Sequence, residues 1–154
     1  MKSIVYSLAL IGMVACSSGG DTASDAASAS NASSESGLSS FQMEHGIGPV
    51  TQPIDYGTLD QAMADRGKAI FDSKCMSCHK FGDRYVGPDL AEVTETRSGA
   101  YIMNMILNPA EMLQKHPEAR AKLAEFMTPM PFQNVSEDEA RDILEYLRSQ
   151  NNNP

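Results

Sequence analysis

The chain has 154 residues but no tryptophan, and only five phenylalanines and five tyrosines. Because aromatic side chains provide much of the buried area of small domains, this chain has a thin apolar core of its own. A large bound cofactor would supply the missing buried surface. The sequence also has no paired-carboxylate motif, no nucleophile beside a base and no phosphate loop. It therefore indicates no substrate chemistry.

Cysteine is equally scarce, with three in the chain. Cys16 stands alone near the N-terminus, whereas Cys75 and Cys78 form a close pair. An even set of well-spaced cysteines would have indicated a disulfide framework, and this arrangement does not.

The chain has only 12 basic residues against 20 acidic ones, which gives a formal net charge of −8. An acidic surface disfavours nucleic acid and anionic membranes. It favours a basic patch on a protein partner, mainly through the association rate. Solubility alone is an equally good explanation of this charge.

The first 15 residues have the pattern of an export signal, with Lys2 followed by an apolar run over residues 4–15 that is too short to span a bilayer comfortably. The small residues ahead of Cys16 resemble a bacterial lipobox, which implies cleavage and a lipid on Cys16. Ser17 at the next position resembles the signal for the outer rather than the inner membrane. An ordinary signal peptide with an incidental cysteine, or an uncleaved anchor, is the alternative.

Residues 17–40 are mostly Ser, Ala, Gly, Asp and Asn, which cannot bury enough apolar surface to order themselves. A stretch with Gly46, Gly48 and Pro49 follows. We predict a flexible tether over residues 16–57, whose reach would be roughly 35 Å.

The remainder, residues 58–150, has helical patterns and no convincing period-two alternation. The last helix is the clearest, because Ser136 and Glu139 form a capping box ahead of apolar residues at helical spacing. We predict an all-α domain of about five helices. The expected helix starts are Thr58 with Gln61, Ser98, Asn108 with Pro109, Pro117, and Ser136.

Residues 75–79 are Cys-Met-Ser-Cys-His, the attachment pattern of c-type haem. On a helical turn the two thiols lie on one face, within reach of both vinyl groups of one porphyrin, and the histidine projects toward the iron. A redox Cys-x-x-Cys, a zinc site and a disulfide are the alternatives. A thioredoxin-like motif would need a βαβ pattern, and zinc would need further ligands.

Around this motif the chain resembles the class I c-type cytochromes over most of residues 60–149. Gly67 and Phe71 precede Cys75 at the spacing of that family's N-terminal helix, and residues 86–90 (Val-Gly-Pro-Asp-Leu) resemble its Gly-Pro-x-Leu loop. The resemblance implies the class I cytochrome c fold around one covalent haem c. It also implies that the Pro88 carbonyl orients His79, and that Gly67 permits a close helix crossing near Tyr146 and Leu147.

The family takes its sixth iron ligand, a methionine, from a loop before the C-terminal helix. Met130 has the matching position, six residues before Ser136, and Met127 is the second choice. A thioether raises the reduction potential relative to a second imidazole. His45 and His116 are the remaining histidines, and His116 has a helix-cap position. In related cytochromes, arginine and aromatic side chains that follow the Gly-Pro loop lie near the haem propionates, which implies that position for Arg97 and Tyr101. A solvated helix start with a partly buried tyrosine explains these two residues equally well.

The resemblance implies a periplasmic one-electron carrier with no enzyme activity, and the lipobox-like sequence adds a lipid anchor. Residues 45–50, 101–109 and 127–130 further resemble small cytochromes associated with bacterial nitrous-oxide reductase systems. This suggests a quinol-oxidising complex as donor, and nitrous-oxide reductase or a terminal oxidase as acceptor. A haem-based gas sensor and a haem subunit of a larger oxidoreductase are the alternatives.

Overall fold

The computed structural model describes residues 37–151. Over that range the chain is helical and contains no strand. The predicted signal peptide, the lipidation site Cys16 and the tether up to residue 36 lie outside the described residues. The helices are α1 (Ser40–His45), α2 (Gln61–Lys74), α3 (Val93–Thr96), α4 (Gly99–Leu107), α5 (Pro109–Lys115), α6 (Pro117–Phe126) and α7 (Glu137–Asn151).

All five predicted helices are present, and most begin where their capping residues indicated. The Ser98 hydroxyl accepts a hydrogen bond from the Tyr101 amide at 3.1 Å. Ser136 and Glu139 exchange both bonds of a capping box. The start of α2 differs from the prediction, because Asp60 rather than Thr58 caps it by accepting from the Met63 amide at 3.0 Å. A carboxylate caps better than a threonine hydroxyl and adds favourable charge at the helix start.

The described chain has seven helices rather than about five, because two short ones had not been predicted. The α1 helix begins with a capping box in which Ser39 and Gln42 exchange hydrogen bonds. That pattern is visible in the sequence, but it lies within residues assigned to the tether. The α3 helix is one turn without a side-chain cap, which left no signal to recognise.

The core forms where α2 crosses α7. Gly67 is buried at the crossing, and a Cβ there would overlap the backbone carbonyl of Asp142. The predicted close approach therefore exists, one turn before the expected contacts with Tyr146 and Leu147. Arg66 reinforces the crossing with two hydrogen bonds to the Asp142 carboxylate, at 2.6 and 2.8 Å. Phe71, Phe81 and Tyr146 stack beside it, with ring centroids 5.3–5.9 Å apart.

Residues 38–57, here called the N-terminal strap, pack against these helices. Leu38, Ile47 and Val50 are buried. The fully buried Asn104 of α4 holds the strap by donating to the carbonyls of His45 and Val50 and accepting from the Val50 amide, at 2.9–3.0 Å. The packed chain thus starts about twenty residues before the boundary at residue 58 that composition suggested.

None of the described helices has both the length and the apolar character needed to cross a bilayer.

Candidate functional site

The Cys-x-x-Cys-His segment continues directly from α2. Cys75 caps that helix, and its carbonyl accepts from the amides of Cys78 and His79 at 3.0 and 2.9 Å. These bonds form a helical turn, as the motif requires for two thiols on one face. Both thiols are free and half-buried. Burial raises the pKa of Cys75 to about 11, against smaller opposing effects of nearby Lys74, so this sulfur stays protonated at neutral pH.

The loop after the motif orients His79. The imidazole Nδ1 lies 3.0 Å from the Pro88 carbonyl oxygen. Because a carbonyl only accepts hydrogen bonds, Nδ1 must carry the proton, which leaves Nε2 with a free lone pair. Burial lowers the pKa of His79, partly offset by this hydrogen bond, and so favours the neutral ring that binds metal. The Pro88 carbonyl thus makes the contact to His79 that the family resemblance implied.

Gly87 and Asp89 shape this loop. The Gly87 amide donates to the Cys78 carbonyl at 2.8 Å, and a Cβ at Gly87 would lie 2.6 Å from the His79 ring. The Asp89 carboxylate accepts from the amides of Gly82 and Ala91, at 2.7 and 2.8 Å. The chain thus passes close against the imidazole and prevents it from rotating.

The two candidate methionines have different environments. Met130 is half-buried and packs against the same core cluster as Cys75, whereas the Met127 side chain is 83% exposed. Met127 also ends α6 in a left-handed conformation, with φ of 54°. The structure therefore brings Met130, and not Met127, to the cluster that carries the attachment motif.

The remaining candidates have other partners. His45 is bound to the Ser98 hydroxyl at 2.8 Å. His116 is buried as the N-cap residue of α6, as predicted, and donates through Nε2 to the Met43 carbonyl. Tyr101 packs in a separate cluster with Leu38, Ile47, Met112 and Ala119.

Arg97 lies beside Tyr101 and pairs with Glu118 at 2.7 Å. These contacts are those expected of residues at the start of a helix. They favour that interpretation over a contact with the haem propionates.

The residues present fit a covalent haem. Two free thiols and a neutral imidazole lie on one turn, and a thioether lies on the same core cluster. Apolar side chains flank these segments and are unusually exposed: Met76, Tyr85, Val86, Met127 and Phe132. Within residues 37–151, no three His, Cys, Asp or Glu side chains form a group able to hold a metal ion by themselves. The zinc alternative therefore has no support in the described chain, and the site is that of a c-type haem protein.

Comparison with known proteins gives the family. The model of the cytochrome c family matches residues 64–151, and the chain belongs to that family. A solved cytochrome c from Rhodothermus marinus is 40% identical, with a TM-score of 0.70 over 73% of this chain and 97% of that one. An engineered form of that cytochrome is 39% identical over the same shares, with a TM-score of 0.69.

A curated relative, a cytochrome c-553-like protein from Synechocystis, is 33% identical over 69 residues. The match covers 42% of this chain and 66% of that relative. The comparisons confirm the predicted fold and covalent haem c, and the relatives are small cytochromes c, electron-transfer proteins rather than enzymes.

Two residues that hold the segment around Met130 were missed by sequence reasoning. Lys74 and Arg84 both donate to backbone carbonyls at the ends of that segment. A lysine before the first cysteine and an arginine in a loop carry no pattern of their own, so no signal in the sequence would have found them.

Proposed function

We propose that this protein is a periplasmic one-electron carrier in which His79 and Met130 are the axial ligands of a single haem c. The observation that carries the proposal is the hydrogen bond from His79 Nδ1 to the Pro88 carbonyl, which leaves Nε2 free for iron. The half-buried position of Met130 on the core cluster supports the second ligand.

Haem c, when bound, supplies reversible one-electron cycling between ferric and ferrous iron. The chain contributes the rest. Pro88 holds the imidazole in one orientation and makes it a stronger donor. A thioether from Met130 favours the ferrous state and raises the reduction potential. Because His79 and Met130 would both bind the iron, a substrate or a gas would have to displace one of them.

Visible spectra of the haem-loaded protein, oxidised and reduced, with and without carbon monoxide, test this ligation. We expect sharp reduced bands, a weak far-red sulfur-to-iron band in the oxidised form, and no response to carbon monoxide. Strong carbon monoxide binding would instead indicate an open sixth position and favour the gas-sensor alternative.

Two matched variants identify the methionine. Met130→Ala should abolish the far-red band and allow carbon monoxide to bind, whereas Met127→Ala should leave both properties unchanged. The assignment fails if the Met127 variant is the one that loses the band.

We further propose export and lipid attachment at Cys16, followed by a tether. The support is the lipobox-like sequence of residues 13–16. Mass spectrometry of the mature N-terminus should show a lipidated Cys16. An unmodified Cys16, or an intact signal sequence, would contradict the anchor.

For partners, we propose a quinol-oxidising complex as donor and nitrous-oxide reductase or a terminal oxidase as acceptor. The support is the resemblance of three segments to cytochromes of nitrous-oxide reductase systems, together with a net charge of −8 that suits a basic docking surface. Stopped-flow oxidation of the reduced protein by each acceptor tests the choice. Electron transfer to the oxidase alone would exclude nitrous-oxide reductase as the acceptor. Stable co-purification of this protein with other proteins in mild detergent would instead favour a subunit of a larger complex.

A further inference from the structure

The segment that carries Met130 has little packing to hold it. Residues 127–134, here called the ligand loop, form no helix, and none of them is buried. Both ends are left-handed, with φ of 54° at Met127 and 52° at Asn134. A thioether is a weak, uncharged ligand. How strongly Met130 binds iron therefore depends on how firmly the rest of the protein holds this loop in place.

Lys74 holds the C-terminal end of the ligand loop. Its Nζ donates to the carbonyls of Gln133 and Asn134, at 3.0 and 3.3 Å. These two carbonyls flank the left-handed backbone of Asn134, so the ammonium stabilises the turn that leads into α7. Lys74 immediately precedes Cys75, which ties this end of the loop to the attachment motif.

Arg84 holds the last turn of α6, which leads directly into the ligand loop. Its guanidinium donates to the Glu125 carboxylate at 3.0 Å and to the Glu125 carbonyl at 3.1 Å. It also lies 4.2 Å from the centre of the Phe126 ring. A cation at the last carbonyls of α6 interacts favourably with the helix dipole. Arg84 belongs to the loop between His79 and Pro88, so the second contact also starts from the segment that carries the histidine.

We propose that Lys74 and Arg84 are positioning residues for the sixth ligand. The two cations come from opposite flanks of the attachment motif. Lys74 holds the C-terminal end of the ligand loop and Arg84 holds the end of α6 that leads into it, which keeps Met130 at the iron. The inference rests on the proposed His79–Met130 ligation. It adds that the equilibrium between bound and released Met130 is set by these two contacts.

Imidazole binding to the oxidised, haem-loaded protein measures this equilibrium. Imidazole takes the sixth position only when Met130 has left, so its apparent affinity is proportional to the open fraction of the loop. Lys74→Met should bind imidazole about fivefold to tenfold more tightly than wild type, as expected for losing the typical net contribution of one hydrogen bond. The far-red band should disappear at a correspondingly lower imidazole concentration, and Lys74→Arg should restore most of the wild-type affinity.

Each position has a matched control. Lys68→Met removes the same charge from the same helix, but Lys68 pairs with Asp72 and does not contact the loop. Lys122→Met removes another cation that pairs with Glu125 and lies over Phe126. Because Lys122 belongs to α6 itself, it makes no link to the attachment segment. Both controls should bind imidazole as wild type does, whereas Arg84→Met should bind it more tightly.

The outcomes separate this inference from the proposed function. A wild-type protein without the far-red band would overturn the ligation itself. The second case is a wild-type protein that has the band. If Lys74→Met and Arg84→Met then bind imidazole with the same affinities as their controls, only the positioning roles are overturned. If Lys74→Met yields no haem-loaded protein, the imidazole affinities of Arg84→Met and Lys122→Met are compared instead. Equal affinities would overturn the positioning role.

Discussion

Two regions of the domain differ sharply in how they are held together. In the crossing region, made of α2, α4, α7 and the N-terminal strap, side chains are buried and backbones meet so closely that only glycine fits at Gly67. In the haem-facing region, residues 76–92 and 127–134, none of the side chains is buried. Backbone hydrogen bonds and polar contacts of Lys74, Arg84 and Asp89 hold that second region.

The contrast shows what each region contributes. The crossing region gains its stability from apolar burial and close packing, which require only the chain itself. The haem-facing region leaves large apolar side chains such as Phe132 exposed, which suits a surface completed by a cofactor. Mutations should therefore affect stability in the first region and spectra or ligand binding in the second.

Gly67→Ala gives the strongest test of the crossing region. Alanine favours helix by about 1 kcal/mol over glycine, yet the added Cβ would overlap the backbone of Asp142. Because backbone cannot rotate away, we expect a net loss of about 2–3 kcal/mol of unfolding free energy in denaturant titration. Ser73→Ala, at an exposed site in the same helix, should change stability by less than about 0.5 kcal/mol. An equal or higher stability of Gly67→Ala would show that the crossing is loose.

Asn104→Ala tests whether the strap belongs to the crossing region. It removes three hydrogen bonds to strap backbone groups, two of them buried, and leaves some of those groups unpaired. We expect a loss of about 2 kcal/mol and faster proteolysis of residues 38–57. Ser39→Ala, which removes only the cap of α1, should cost about 1 kcal/mol. A changed far-red band in Asn104→Ala would show that the two regions are not independent.

Tyr101→Phe tests how the free energy of unfolding depends on pH. Burial, more than any nearby charge, raises the pKa of Tyr101 above its ordinary value of 10.0. The folded state therefore favours the neutral phenol, so stability is intact below pH 10 and falls as pH rises through the higher folded pKa. Unfolding free energy of the reduced protein should fall less steeply above pH 10 in Tyr101→Phe than in wild type. Parallel curves would show that this phenol ionises equally well in both states.

Phe132→Ser should have the smallest effect on stability, because the side chain is 60% exposed. In the protein without haem we expect a change of less than about 0.5 kcal/mol in the unfolding free energy. A loss above about 1 kcal/mol in the haem-loaded protein would mean that Phe132 is buried against the cofactor. Denaturant titration followed by helical circular dichroism measures this directly.

Local patterns predicted much of the fold. Ser98 and Ser136 cap the helices they were expected to cap, and Pro109 and Pro117 open α5 and α6. These signals depend on a few neighbouring residues, so they are visible without tertiary information. Composition was a poorer guide for the strap, because distant side chains such as Asn104, Asn108 and His116 bind its backbone groups.

For the candidate site, the sequence by itself determined the attachment motif and the histidine, since Cys75, Cys78 and His79 lie within a single helical turn. It also indicated Pro88 and Met130 through a family pattern. Only the tertiary structure decided that Met127 is exposed, that Asn104 holds the strap, and that Lys74 and Arg84 hold the ligand loop. Those contacts join residues more than forty positions apart, and no local pattern encodes a pairing whose geometry exists only after the helices have packed.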